Sequence, residues 1–286
     1  MIQKSRSHVP VPPPGAKDLP YDDGEPIESE RHVKQMTLLT QSLSLAWKDR
    51  QDFYVGGNMF LYFSELQTKK NDFRGPDVFV VLDTVKKERL SWVVWEEGGR
   101  TPDVVIELLS ESTEDVDRGE KMQVYARVLM VGEYYLFDPW TGVLEGYALD
   151  RASRTYRRME ALDERGALPC EQLGLRLGVV PGRYHDLEMG FLRWIDQDSR
   201  VLPTGEELAA AASARAEQES ARAEQESARA EQESARAEQE SARAEQESAR
   251  ADHETTLRRE AELRSAELER RIAELEGKKA AGGVGP

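Results

Sequence analysis

The segments Gly75-Pro-Asp-Val-Phe-Val-Val-Leu-Asp83 and Pro102-Asp-Val-Val-Ile-Glu-Leu-Leu109 decide the fold. Each carries a proline–aspartate pair followed by apolar β-formers, over the length of a buried strand. Alternation along an extended chain puts Asp77, Phe79 and Val81 on one face and Val78, Val80 and Leu82 on the other. In the second segment it groups Asp103, Val105, Glu107 and Leu109. Glu107 is thus a carboxylate in the middle of an apolar run, and burying it is costly unless it is paired, protonated or bound to a cation. If the two strands are neighbours, Asp77 supplies half of an oxygen-rich site. A hard cation, Mg²⁺ or Mn²⁺, would neutralise both carboxylates and leave positions for water and phosphate. Asp103 lies on the order of 13 Å from Glu107 along a strand, too far to share one ion, and reads as a residue that opens the strand.

Outward from these strands, Val33, Met36, Leu39, Leu43 and Trp47 recur at helical spacing and predict an amphipathic helix from about Glu30 to Lys48. Asp52 to Ser64 reads as a hairpin, with Gly56-Gly57-Asn58 at its turn. A third apolar run spans Trp92 to Trp95. Downstream, a helix is expected from about Asp115 to Met130, capped by Ser112 or Thr113. Strand character resumes at Tyr134–Asp138, Gly142–Leu149 and Thr155–Met159. This order predicts an α/β fold, a mixed sheet flanked by helices. Lys121 shares a helical face with Val124, Tyr125 and Val128, the face that should meet the sheet. Two readings stay open for it. Its stem snorkels past the edge of the core, or its ammonium reaches Glu107 and Asp77, where it would orient an attacking water and stabilise charge growing on a phosphate.

A proline–aspartate pair opening one strand, an acid within the next and a lysine nearby resemble the PD-(D/E)XK nuclease superfamily. More narrowly, the stretch from about Glu30 to Leu175 resembles the Uma-type restriction endonuclease family, through GPDVFVVLD, SWVVWEEGGRTPDVVIELLS, DRGEK, and EYYLFDP followed by Trp140. The resemblance implies a restriction-endonuclease-like core, with Asp77, Glu107 and Lys121 catalytic and Asp77 and Glu107 as the metal ligands. The superfamily pattern sets its lysine two residues after the glutamate, where this chain has Leu109. Lys121 fits the migrated lysine that members of the family carry on the following helix. Glu30 is a candidate extra acid, as in some relatives.

The expected organisation is a proline-rich leader over 1–28, the nuclease-like domain over 29–202, a linker over 203–205, a heptad helix over 206–277 and a disordered tail over 278–286. Pro203-Thr-Gly205 makes a natural break. Beyond it ARAEQES occurs five times from Ala214 to Ser248. The seven-residue period lines up Ala216, Ser220, Ala223 and Ser227, a seam of small residues that buries little area. Ala261, Ser265, Leu268, Ile272 and Leu275 offer a better seam in a shifted register. A coiled coil and a solvated single helix are both compatible with this pattern.

The formal net charge is −15, which opposes a general affinity for polyanions. Between Glu206 and Glu276 twenty acidic residues face eleven basic ones, so much of the excess belongs to the tail. Local basic groups, Lys69, Lys70 and Arg74, then Lys86, Lys87 and Arg89, are candidates for phosphate contacts or solvated loop charges. One cysteine, Cys170, excludes an internal disulfide framework. His8, His32, His185 and His253 show no ligand spacing for zinc. No stretch of 18 or more apolar residues and no secretory pattern occur, so a cytoplasmic protein with no membrane span is expected. Two functions of different class follow. One is a metal-dependent endonuclease hydrolysing phosphodiester bonds, in DNA. The other is an inactive nuclease-like module whose tail mediates homo-oligomerisation or binds a protein partner. A metal-free, glycosidase-like use of Asp77 and Glu107 is a third, without a substrate-binding stripe to support it.

Overall fold

The computed structural model describes residues 12–21, 29–64 and 73–281, with side chains as far as Gly277. It divides into two units, residues 1–210 and 211–286. The first is built on a six-stranded sheet in the order β1 (Phe53–Gly57), β4 (Val78–Leu82), β6 (Val104–Leu108), β7 (Glu133–Phe137), β8 (Leu144–Asp150), β9 (Thr155–Arg158). Only β6 and β7 are parallel. A parallel step needs a crossover. Here it is helical: α2 (Glu114–Val116), a π turn (Asp117–Lys121) and α3 (Met122–Arg127). That crossover lays the DRGEK segment over the sheet.

Period-two alternation sorts the sheet's side chains as the sequence predicts. Val78, Val80, Val104 and Ile106 join one core with Leu39 and Leu43 of α1 (Glu30–Ala46). Leu177 and Trp194 enter the same core from a three-stranded sheet of β10 (Leu168–Cys170), β11 (Leu175–Tyr184) and β12 (Leu187–Ile195). Phe79, Val81, Val105, Tyr134 and Leu136 face the other way, toward Tyr125 and Leu129. Leu61 and Trp92 close that second core from a small sheet of β3 (Phe73–Arg74), β2 (Leu61–Tyr62) and β5 (Trp92–Val93).

Two local expectations are corrected. Residues 52–64 do not form a hairpin: β1 pairs with β4, and β2 pairs with β3 and β5. Gly56 and Gly57 are not the turn but the end of β1. A Cβ on Gly56 would stand 2.5 Å from the Phe79 ring, so the glycine makes room for the core. In α1, Val33 is exposed while the polar Gln35 and Ser42 are buried. Gln35 repays its burial by exchanging two hydrogen bonds with the Leu192 backbone, at 2.8 and 2.9 Å, and Ser42 donates to the Leu38 carbonyl.

The long helix α4 runs over Gly205–Ala281. Its start is a capping box: the Glu207 N–H donates to Thr204 Oγ1, and the Thr204 N–H donates to Glu207 Oε2. Arg193 of β12 clamps the same carboxylate through both terminal nitrogens, at 3.1 and 2.8 Å. From Gly205 to Gly277 every helical residue is exposed. No helix among the described residues is long and apolar enough to cross a membrane.

Candidate active site

The register of β4 against β6 sets Val78 opposite Ile106. Continuing it by one residue sets Asp77 opposite Glu107 on the same face. There the ladder changes character, because Pro76 has no N–H to donate. The Leu108 N–H instead donates to Asp77 Oδ2 at 2.7 Å, and the Asp77 N–H donates to Glu107 Oε2 at 3.2 Å. Each acid is held by the other's strand. At the opposite end of β4, Asp103 accepts from the Leu82 N–H at 2.7 Å, a strand-pinning bond away from Glu107.

The crossover supplies the rest. Lys121 Nζ lies 3.2 Å from Glu107 Oε2 and 2.7 Å from Asp117 Oδ1. The Tyr125 hydroxyl donates to Glu107 Oε1 at 2.8 Å. Asp117, Lys121 and Tyr125 are successive fourth residues. In a regular helix each such step overshoots a turn by roughly 40°. The wider π turn takes back that overshoot and keeps all three over Glu107. Tyr134 fixes the turn by donating to the Asp117 carbonyl at 2.9 Å.

Glu107 has no exposed surface, and Asp117 almost none. Burial pushes the Glu107 carboxyl up to about 8, the Lys121 ammonium and the Tyr125 hydroxyl pull it down, and Asp77 and Asp117 push it further up. Asp77 is also raised, first by burial, against Lys121 and the Leu108 N–H, which lower it. At Lys121 burial works against the charge, but Glu107, Asp117 and Asp77 outweigh it and the ammonium is held above its ordinary range. Three carboxylates therefore share one buried cation. With all of them ionised, the cluster is two positive charges short of neutrality.

Asp77, Glu107 and Lys121, singled out in the sequence, thus converge. Glu30 does not join them: it is exposed and pairs with Lys34 at 2.6 Å. Asp117 is not among the residues the sequence marks for the site, and Tyr125 is marked only as sharing the helical face of Lys121. Their signal was the spacing of four to Lys121 on either side, within and just after DRGEK. Of the basic groups, Lys69 and Lys70 lie outside the described residues. Arg74 pairs with Glu120. Arg89 is sunk between Tyr54 and Trp92, 4.6 Å from each ring, and bonded to Glu97, so it is a core strut. Among the described residues no three His, Cys, Asp or Glu side chains are grouped so as to hold a metal ion by themselves.

Residues 11–179 match the Uma2 family, described as “Putative restriction endonuclease”. Among matching solved structures is a “putative nuclease belonging to DUF820” from Anabaena variabilis, 14% identical, with a TM-score of 0.37 over 56% of this chain and 89% of that one. No curated protein matches the chain.

Proposed function

Because the chain belongs to the Uma2 family of restriction-endonuclease-like proteins, we propose that it is a metal-dependent endonuclease that hydrolyses phosphodiester bonds in DNA. The observation that carries this reading is the convergence of Asp77, Glu107 and Lys121 in a buried cluster that lacks positive charge. The donor set is all oxygen, and the missing charge is that of one divalent cation. Asp77 and Glu107 would hold Mg²⁺ or Mn²⁺, which commonly takes only one or two protein carboxylates and completes its shell with water and phosphate. When bound, the ion supplies Lewis-acid stabilisation of the phosphate and an acidified water.

The chain's own groups do the remainder. Asp117 and Glu107 keep Lys121 protonated and fix its ammonium, which would orient a water and meet negative charge growing on a phosphate oxygen. Tyr125 fixes the Glu107 carboxylate from the other side. The Leu108 N–H fixes Asp77. Glu107→Gln and Asp77→Asn should each reduce nicking of supercoiled DNA in Mg²⁺ by on the order of a hundredfold or more. Undiminished nicking by either variant would overturn the assignment.

A second reading is favoured by the exposed helix α4, which the nuclease chemistry does not use. In it the tail gathers copies of this chain, or a protein partner, around the domain. Deleting residues 211–286, which spares the Glu207 carboxylate that Arg193 clamps, should then change the oligomeric state while nicking by the domain persists. The lone cysteine, buried and free, fits a reducing compartment, and we place the protein in the cytoplasm.

A further inference from the structure

An acidic chain that cuts a polyanion needs a defined place to hold it, and the sheet register locates one beside Glu107. Glu107 stands opposite Leu136, and Leu136 opposite Glu145, on one face. Two strand spacings make this about 10 Å. Two guanidiniums converge on the Glu145 carboxylate: Arg118 at 2.7 Å and Arg158 at 3.5 Å. Arg118 belongs to the π turn that carries Asp117 and Lys121, and it also meets Glu114 at 2.7 Å. The Arg158 side chain is 68% exposed and loosely held.

Glu114 leads to a cavity of about 410 Å³ where β6 and β7 end, lined by Leu109, Glu111, Glu114, Asp138 and Trp140. Trp140 is 62% exposed, and the other four tryptophans are buried or half-buried. Its indole is nonetheless held in place. The Arg31 guanidinium lies 4.2 Å over the ring and donates to the Pro139 carbonyl, and Asp138 accepts from the Trp140 and Thr141 N–H groups. A fixed, exposed indole beside a cavity is a stacking surface for a flat ring. The charges are sorted along the strip. Carboxylates line the cavity, where they repel phosphate and suit the amino edge of cytosine or adenine. The arginines lie outside it.

We propose that this strip seats an unpaired stretch of nucleic acid, with a base stacked on Trp140 in the cavity and the flanking phosphates on Arg118 and Arg158. A base inside a duplex offers only its edges, so stacking of this kind selects single-stranded or flipped-out nucleotides. The proposal rests on the phosphodiester reading and adds to it a substrate form.

The test is binding without cleavage. The full chain is titrated in EDTA into fluorescein-labelled oligo-dC, oligo-dT and a duplex, read by anisotropy, with tryptophan emission followed using unlabelled strands. Single strands should bind more tightly than duplex, and oligo-dC more tightly than oligo-dT. Trp140→Ala should weaken single-strand binding by about fivefold to a hundredfold, while Trp140→Phe retains most of it. Emission should be quenched by the strand in the wild type and not in Trp140→Phe. Arg158→Ala should flatten the dependence of log K on log salt by about 0.7. Wild-type affinity in Trp140→Ala, equal preference for duplex, or no single-strand binding would overturn the proposal. Glu107→Gln separates the two readings: if it binds as the wild type but no longer nicks, while Trp140→Ala changes nothing, hydrolysis stands and the seat falls. Trp140-dependent binding by a wild type that never nicks would leave the seat standing and refute hydrolysis.

Discussion

Burial pushes the Glu107 carboxyl up to about 8 from an ordinary 4.5, so the folded protein holds this proton more tightly than the unfolded chain does. The stability it contributes is therefore fully present below about 4.5 and is lost as pH rises toward about 8. Asp77, also raised, acts in the same direction. Glu107→Gln removes one of these ionisations, so its melting temperature should gain on the wild type's as pH is raised through that window in EDTA. Parallel melting curves across the window would refute a buried, proton-linked Glu107. At the upper end, Mg²⁺ should raise the melting temperature of the wild type and leave Glu107→Gln unmoved, since a cation competes with the proton for the same oxygens. Tyr125→Phe removes a buried hydrogen bond to the ionised form. It should shift the wild-type pH dependence further upward and cost about 1–3 kcal/mol at alkaline pH, measured by denaturant unfolding. Asp77 and Glu107 were legible as a pair because strand alternation fixes the face of every residue. Asp117 was not, because its value comes from the π turn, and no sequence pattern in DRGEK distinguishes that turn from ordinary helix.

Pairing between elements was harder to read than the elements. Gly56-Gly57-Asn58 has the composition of a turn, and a two-strand hairpin is the local solution for it. The protein instead uses the first two glycines to bring β1 close under Phe79 and under Met36 of α1. Only Asn58, with a positive φ of 46°, turns the chain. What decides this is the space left by Phe79, more than twenty residues away, which local composition does not encode. Gly56→Ala puts a methyl group within 2.5 Å of a ring already packed by Tyr54 and Trp92. It should destabilise the domain by about 1–3 kcal/mol. A loss well under that in chemical unfolding would mean that Phe79 has room to move. The same limit applies to α1: periodicity found the helix, but buried Gln35 is explained only by the Leu192 backbone it meets across the core.

The chain keeps its aromatic core in the first unit, while the second sets eighteen acidic residues against thirteen basic ones with no core to hold them. In the ARAEQES repeat, each position of the Ala/Ser seam is flanked by glutamate: Glu217 follows Ala216 and Glu219 precedes Ser220, and so on through Ser248. In a parallel pair these flanking positions face each other, so the repeat sets glutamate against glutamate along a seam with little area to offset it. Leu268, Ile272 and Leu275, each more than half exposed, form the only seam of large aliphatic side chains in the described helix. Self-association through the tail should therefore depend on the last turns and be opposed by the repeat. In sedimentation equilibrium, added salt should tighten it by screening the glutamates. Leu268→Ser combined with Ile272→Ser should abolish it, and excising residues 214–248, a whole number of heptads, should strengthen it. Association that weakens with salt, or that vanishes when the repeat is removed, would assign the repeat an attractive role that its charge pattern argues against.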